Sequence, residues 1–208
     1  MLLETYVVGM IENNNYLLID EKSKEAVLFD CSERIDEIKE KLDEVGADLK
    51  YIFITHGHFD HILGINDMIK LFPKVQVIAP EKDKELIEDV KSFVNMFVGN
   101  IGNVEIPNVS KYIDENDEFF IGDEKIKIVS TPGHTLGGVC YFVDDKLFTG
   151  DTIFLESVGR TDLPGGSYLT LKQSVKNILE MFDDNVKIYA GHGDSSTVAH
   201  EKKYNPAI

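Results

Sequence analysis

The chain has 208 residues, 43% of them hydrophobic and 28% charged, which is typical of a globular protein with its own core; we predict one domain over residues 1–208. Its formal net charge of -16 argues against a nucleic-acid partner, because nucleic acids are bound by a basic face. No apolar stretch approaches the roughly 20 residues that span a bilayer, and no basic residue stands among the first ten, so we expect a cytoplasmic protein without a membrane partner.

Short apolar or alternating runs between turn-forming residues predict a series of strands. The run Asn13-Asn14-Asn15, whose side chains favour turns, is predicted to connect the first two strands. The predicted strands cover residues 2–8, 16–20, 25–30, 51–55, 125–130, 139–143, 146–149 and 186–190.

Apolar stripes at helical spacing predict helices that pack on these strands. The predicted helices cover residues 35–45, 62–72, 80–94 and 168–182. We expect Ser32 to cap the first helix, Gly46 to end it, and Ser167 to cap the last. The segment 80–94 is highly charged and predicts a surface helix. Groups of strands followed by alternating strands and helices indicate an α/β or α+β protein.

Cys31 and Cys140 are the only cysteines, and neither belongs to a CxxC pair. Free cysteines are usually buried as small apolar side chains, and two scattered thiols fit a reducing compartment. We therefore predict that both thiols are buried.

The segment Thr55-His56-Gly57-His58-Phe59-Asp60-His61 concentrates three histidines and one aspartate directly after a predicted buried strand. In extended chain, His56 and His58 face the same way about 7 Å apart, so their imidazoles can converge on one metal ion. Asp60 and His61 lie where the chain turns into the next helix, and they can reach a second ion beside the first. The chain has six histidines in all, so this concentration indicates a metal site.

Three later segments each place a metal-ligating side chain beside glycine at the end of a predicted strand. They are Thr131-Pro132-Gly133-His134-Thr135, Phe148-Thr149-Gly150-Asp151-Thr152 and Gly191-His192-Gly193-Asp194. Turns favour glycine, aspartate and histidine in any protein, so each segment alone has an ordinary structural explanation. Combined with the first cluster, they provide five histidines and two aspartates for one site.

The HxHxDH run, the GHT turn, the TGD segment and the late GHG follow one another along the chain. This combination resembles the metallo-β-lactamase superfamily, and especially the shorter proteins similar to glyoxalase II (hydroxyacylglutathione hydrolase). The resemblance implies an α+β fold, the αββα sandwich of four layers. In that fold two sheets lie face to face, helices cover them, and the metals lie at one edge.

The resemblance also implies a role for each residue of the cluster. The first ion would be held by His56, His58 and His134, the second by Asp60, His61 and His192, with Asp151 as the bridge. Asp30 matches a position that steadies the ligands, although a helix-capping or turn role is an equal alternative. The expected cofactors are two divalent ions, with zinc favoured and iron or manganese as alternatives.

Seven ligands for two ions leave open coordination positions, which mark catalytic sites. We therefore expect a hydrolase in which a hydroxide bridging the metals attacks the carbonyl of a thioester or related acyl ester. Asp60 would orient that hydroxide as well as ligate. A thiolate leaves without protonation, so this chemistry needs no separate general acid.

The run Gly159-Arg160-Thr161-Asp162 resembles a loop of the shorter glyoxalase II-like proteins. Arg160 is a candidate for gripping a carboxylate of the substrate, and a salt bridge with Asp162 is the equal alternative. Lys202 and Lys203 are further candidates at the pocket rim. The helical domain that supplies glutathione-binding residues in full-length glyoxalase II is absent from this sequence. We therefore expect a small acyl substrate, neutral or anionic, rather than a glutathione thioester.

Two other functions remain open. A persulfide dioxygenase of the same fold, which uses a single iron, shares the HxHxDH run and the Gly-Arg-Thr-Asp run. A protein that kept the metal site without turnover would be a binding module. A class B β-lactamase is disfavoured by Asp151 at the bridging position, and a nuclease of the superfamily by the acidic charge.

The apolar residues Phe93, Met96, Phe97 and Val98 precede a predicted loop at 99–108. They indicate core packing or, alternatively, a lid or a dimer contact over the site.

Overall fold

The computed structural model describes residues 1–99 and 102–208, and two six-stranded sheets form its centre. The first sheet contains β1 (Leu2–Val8), β2 (Asn13–Asp20), β3 (Glu25–Phe29), β4 (Asp48–Phe53), β5 (Gln76–Pro80) and β6 (Lys111–Ile113), in that spatial order. β1, β2 and β3 pair antiparallel, whereas β3 to β6 pair parallel. β3, β4 and β5 therefore end at one edge of the sheet.

The remaining strands form the second sheet and a small separate hairpin. They are β7 (Phe119–Ile121), β8 (Glu124–Ser130), β9 (Val139–Val143), β10 (Lys146–Gly150), the hairpin β11 (Ile153–Phe154) and β12 (Ser157–Val158), β13 (Lys187–Ala190) and β14 (Ser196–Thr197). The spatial order of the second sheet is β14-β13-β10-β9-β8-β7. β10 and β13 pair parallel, so the residues that follow them leave the sheet side by side.

Helices cover the outer face of each sheet. They are α1 (Asp36–Val45), α2 (Ile65–Leu71), α3 (Lys84–Glu88), α4 (Val90–Phe97), α5 (Tyr168–Met181) and α6 (Val198–Tyr204). The apolar sides of α1 to α4 share one buried cluster with the first sheet, and those of α5 and α6 share another with the second. The molecule is thus the four-layer αββα sandwich that the resemblance implies.

The side chains of β2 show how the layers are held together. Leu17 and Ile19 face the helices, whereas Tyr16 and Leu18 face the second sheet, as the period of two in a strand requires. Between the sheets the core is rich in aromatic rings, and Phe29 stacks on Phe148 with ring centroids 4.0 Å apart. This packed interior fixes the strand ends from which the site is built.

The prediction of a turn at Asn13, Asn14 and Asn15 is wrong. These residues begin β2 and pair with the end of β1, and the connection lies at residues 9–12 instead. Their side chains are buried and find partners in distant parts of the chain, which overrides the local preference of asparagine for turns.

The single surface helix predicted over 80–94 is also wrong. Pro80 ends β5, the 3₁₀ helix Glu81–Asp83 follows, and α3 and α4 are separate short helices. The charge of this segment suggested an exposed helix, but the side chain of Asp83 is buried.

The predicted helix caps are correct in two of three places. Gly46 ends α1 in the left-handed region at φ 67°, and Ser167 accepts a hydrogen bond from Thr170 N at the start of α5. Ile35 occupies the N-cap of α1, so the prediction of Ser32 there is wrong; the Ser32 hydroxyl accepts a hydrogen bond from Asn15.

Within the described ranges, every helix is too short or too polar to cross a bilayer.

Candidate metal centre

The seven predicted metal ligands lie together at the edge of the sandwich where strands of both sheets end. The segment after β4 supplies His56, His58, Asp60 and His61, and the segments after β8, β10 and β13 supply His134, Asp151 and His192. All seven are less than a quarter exposed, and they follow strands of the two sheets in the chain. The cluster that the motif spacing predicts is therefore a spatial cluster.

Three imidazoles form the first donor group. The Nε2 atom of His56 lies 3.1 Å from Nδ1 of His58 and 3.2 Å from Nε2 of His134. Nδ1 of His58 lies 2.8 Å from Nε2 of His134. Ligand nitrogens around one tetrahedral metal ion are about 3.3 Å apart when metal–nitrogen distances are near 2.0 Å. The three nitrogens converge in the manner of ligands to a single ion.

A second donor group lies beside the first. Oδ2 of Asp60 is 3.3 Å from Nε2 of His61 and 3.2 Å from Nε2 of His192. These three atoms also lie close enough to share one ion.

Asp151 lies between the two groups. Its Oδ1 atom is 3.4 Å from Nε2 of His61, and its Oδ2 atom is 3.4 Å from Nε2 of His134 and 3.8 Å from Nε2 of His192. Gly191 makes room for this carboxylate, since a Cβ atom there would stand 2.4 Å from Oδ1. Oδ1 is buried and accepts no hydrogen bond from the described residues. A buried carboxylate oxygen without a donor fits a bound cation, so the residues present match two divalent ions.

Four of the five imidazoles are fixed through their second ring nitrogens. The acceptors are Thr55 Oγ1 for His56, Asp30 Oδ2 for His61, the Arg160 carbonyl for His134 and the Glu12 carbonyl for His192. Each contact sets which nitrogen carries the proton, and it leaves the other nitrogen free to bind metal.

Asp30 supports both ends of the segment 55–61 at once. Its carboxylate accepts hydrogen bonds from Nδ1 of His61 at 2.8 Å, from Thr55 N at 2.8 Å and from Thr55 Oγ1 at 2.9 Å. The Thr55 hydroxyl in turn accepts from Nδ1 of His56. Asp30 does not cap α1, so the helix-capping alternative is wrong, and its carboxylate makes the supporting contact.

Burial and neighbouring charges give the two groups different protonation preferences. Burial, together with the adjacent imidazoles, lowers the pKa of His58 to about 3 and lowers the pKa of His56 as well. Burial opposes a charge on His61 too, but the carboxylates around it, first that of Asp60, outweigh burial and raise its pKa. Burial would raise the pKa of Asp60, but His61 outweighs it and holds that pKa low. His56 and His58 are therefore neutral, and the second group is an anion-rich environment for a cation.

Asp83 is a site residue that the sequence analysis missed. Its Oδ2 atom accepts hydrogen bonds from Gly57 N at 2.9 Å and from Thr135 Oγ1 at 2.7 Å, and Oδ1 accepts from Gly137 N at 2.6 Å. One buried carboxylate thus joins the loop of His56 and His58 to the loop of His134. No feature of the sequence separates Asp83 from the other acidic residues of the 80–94 segment.

The asparagines at the start of β2 were missed as well. The Asn13 amide lies 2.9 Å from the His61 ring nitrogens, and the Asn14 amide donates to the carbonyls of Ala190 and Gly193 on either side of His192. They hold the β13 end of the second sheet against the first.

A pocket of about 560 Å³ opens over the donors. Its floor contains His58, Asp60, His134, Asp151 and His192. Its walls contain Ile11, Phe59, Phe93, Phe97, Val98, Phe154 and Leu163, with Arg160 as a charged member. Phe97 is 40% and Val98 38% exposed, so the core interpretation of these two residues is wrong, and they face the pocket instead. Residues 100 and 101 of the predicted loop at 99–108 lie outside the described part of the chain.

Of the three predicted substrate contacts, Arg160 lies at the pocket, whereas Lys202 and Lys203 do not. Arg160 lines the pocket, and its guanidinium donates to both carboxylate oxygens of Asp162, at 2.7 and 2.8 Å. Lys202 donates to Asp184, and Lys203 lies over the ring of Tyr204. Neither lysine is part of the pocket lining, so the structure does not bring them to the site.

The family model of the Metallo-beta-lactamase superfamily matches residues 10–194, and the chain therefore belongs to that superfamily. Among curated proteins, the chain is similar to the hydroxyacylglutathione hydrolase GloC of Haemophilus influenzae, with 31% identity over 100% of this chain and 98% of that protein. It is also 36% identical to an uncharacterised protein of Aquifex aeolicus, covering 99% of this chain and 96% of the relative.

Solved structures show the same fold. The BLEG-1 B3 metallo-beta-lactamase is 29% identical with a TM-score of 0.85, covering 99% of this chain and 98% of that one. ETHE1 from Myxococcus xanthus is 26% identical with a TM-score of 0.78, covering 99% of this chain and 84% of that one. The fold and family implied by the sequence resemblance are therefore confirmed.

Proposed function

We propose that this protein is a hydrolase that holds two divalent metal ions and cleaves a thioester or a related acyl ester. The observation that carries the proposal is the position of Asp151, whose two oxygens face the two donor groups. The similarity to GloC over the full chain supports a thioester as the bond that is cleaved.

In the proposed site, His56, His58 and His134 would hold one ion, Asp60, His61 and His192 would hold the other, and Asp151 would contribute to both. The ions would supply a nucleophile by lowering the pKa of water, and they would polarise the scissile carbonyl. Zinc is the favoured metal, with iron and manganese as alternatives, because imidazole and carboxylate ligands suit all three.

The protein's own residues orient these groups and exclude water. Asp60 lies at the pocket floor with one oxygen directed between His61 and His192, and in this proposal it would orient the nucleophile as well as ligate the second ion. The apolar walls shield the reacting carbonyl from bulk water, which strengthens electrostatic interactions at the floor.

We also propose a cytoplasmic protein with a small-molecule substrate and no nucleic-acid partner. Two free buried thiols and the net charge of -16 support this view.

The first experiment is elemental analysis of protein purified without added metal, followed by assay of the loaded protein against thioesters, lactones and β-lactams. Close to two ions per chain with thioester hydrolysis is the expected result. Two bound ions with turnover of none of these compounds would overturn the proposal and favour the non-catalytic binding module.

A single-iron persulfide dioxygenase is the second candidate, since the structural similarity to ETHE1 favours it. It predicts one iron per chain and oxygen uptake with glutathione persulfide. Asp60 and His61 belong to the HxHxDH run that both classes share, so His192, which completes a second donor group with them, is the residue that favours the two-metal hydrolase.

A further inference from the structure

We propose that the pocket over the metal centre selects substrates that are apolar and uncharged on the acyl side of the scissile carbonyl. The inference rests on the proposed function and deepens it by naming the substrate class. It favours acyl thioesters or esters with an aliphatic acyl chain over those that carry a second carboxylate.

Aromatic side chains border the donor cluster on two sides. The ring of Phe93 lies 6.3 Å from that of His58, and Phe97 lies 6.3 Å from both Phe93 and Phe59, centroid to centroid. These contacts form a continuous apolar wall that begins at a metal donor and ends at the pocket mouth.

The lining beside His192 is also apolar. The ring of Phe154 lies 6.1 Å from that of His192, and Ile11 and Leu163 are further apolar residues of the lining. A group attached to a carbonyl held at the floor therefore meets hydrocarbon. The pocket of about 560 Å³ is within the ordinary range for small-molecule sites, which leaves room for an acyl chain.

Beside the proposed metal ions, the described lining offers a substrate carboxylate no unpaired Lys or Arg side chain. Asp60 and Asp151 are metal donors, and Arg160 is the one Lys or Arg side chain among the lining residues that the structure describes. Both carboxylate oxygens of Asp162 already accept hydrogen bonds from that guanidinium. Asp162 is bound through Nε and Nη2, so a substrate carboxylate at Nη1 would share a positive charge that Asp162 already balances, and in this sense Asp162 is a competitor.

The test uses the metal-loaded protein and thioesters of the uncharged thiol N-acetylcysteamine. The acyl groups are acetyl, butanoyl, hexanoyl and adipoyl, the last being a six-carbon chain that ends in a carboxylate. We expect kcat/KM to rise about threefold per methylene from acetyl to hexanoyl, as burial of hydrocarbon predicts. We expect the hexanoyl ester to exceed the adipoyl ester by about tenfold or more.

Two variants test separately the effect of the apolar wall and the effect of the competing Asp162 carboxylate. Phe97→Ala should lower the hexanoyl-to-acetyl ratio of kcat/KM by about fivefold, whereas Phe120→Ala, which alters a 43% exposed phenylalanine outside the pocket, should leave it unchanged. Asp162→Asn should weaken the hold on Arg160 and raise the adipoyl-to-hexanoyl ratio severalfold.

Hydrolysis at one rate for every acyl length, or a preference of the unaltered protein for adipoyl, would overturn this inference and leave the proposed function standing. A Phe97→Ala ratio equal to that of Phe120→Ala would also overturn it. By contrast, two bound ions with no hydrolysis of any thioester, lactone or β-lactam would remove the proposed function itself.

Discussion

The hydroxyl of Thr135 donates a 2.7 Å hydrogen bond to the buried carboxylate of Asp83. Thr135 follows the donor His134, and the same Asp83 oxygen accepts from Gly57 N, which stands between His56 and His58. One side chain thus fixes the spacing of both loops that supply the first donor group, although it touches none of the three imidazoles by hydrogen bond.

Replacing Asp83 with Asn should disturb that group without removing a metal donor. The new amide would point N–H groups at Gly57 N or Gly137 N, so the free energy of unfolding should fall by about 1–3 kcal/mol. Metal affinity and kcat/KM should each fall by about tenfold, the usual scale for a lost supporting contact. Urea unfolding, metal titration and thioester assays measure the three effects.

Glu85→Gln is the matched control for this change, since it removes one charge from an exposed residue two positions away on the same segment. Its stability and metal affinity should match those of the unaltered protein. If Asp83→Asn lost stability but kept full affinity and turnover, Asp83 would hold the fold and not the donor spacing.

Replacing Asp151 with Ala should lower metal content and kcat together. The carboxylate faces both donor groups, so its loss removes an oxygen from each. We expect fewer than two ions per chain by elemental analysis and a kcat reduced by 10³-fold or more, on the order of the several kcal/mol that metal catalysis supplies. Asp194→Ala, at an exposed residue beside His192, should change neither quantity. Normal turnover by the Asp151 variant would contradict the two-metal mechanism.

Asp30→Asn should weaken metal binding while every metal donor remains in place. The Asn side chain can accept from either His61 or Thr55 but cannot satisfy all three donors that the carboxylate accepts. Metal affinity should fall by about 10–100-fold in a competition titration with a chelator. An affinity equal to that of Asp36→Asn, which alters an exposed carboxylate, would show that Asp30 has no supporting role.

The two thiols should be inert in the native protein. Both cysteines are buried, and burial raises the pKa of Cys140 to about 11 and raises that of Cys31 as well. Since only the thiolate reacts, about a thousandth of Cys140 is reactive at pH 8, and that fraction grows tenfold for each pH unit toward 11. An aromatic disulfide reagent should label no thiol at pH 8 in the native state and two after denaturation. Rapid native labelling would disprove the burial.

Much of the site was predictable because its donors are concentrated in sequence. His56, His58, Asp60 and His61 fall within one short segment, and the strand before it settles which way the segment leaves the sheet. The remaining donors follow glycine-rich strand ends, where a backbone turn is readily recognised. In motifs of this kind the spacing of the residues determines their relative positions. The sequence alone therefore indicates both the donor residues and the strands that they follow.

Apart from Asp30, the supporting residues were not predictable, for the opposite reason. Asn13 contacts His61, which lies 48 positions further along the chain, and Asn14 contacts Ala190, which lies 176 positions further along. Local propensity describes asparagine as a turn residue and Asp83 as part of a charged surface, because it contains no information on what packs against them. Only the meeting of the two sheets gives these side chains their partners.

The first sheet ends with β6 at Ile113, and the second begins with β7 at Phe119, so the chain divides between them into two halves of nearly equal length. Each donor group takes members from both halves: His56 and His58 with His134 in one, and Asp60 and His61 with His192 in the other. Neither half alone holds a complete group. The ions would therefore link the two halves of the chain. Removing them with a chelator should weaken the packing between the two sheets before it disrupts the pairing within either sheet.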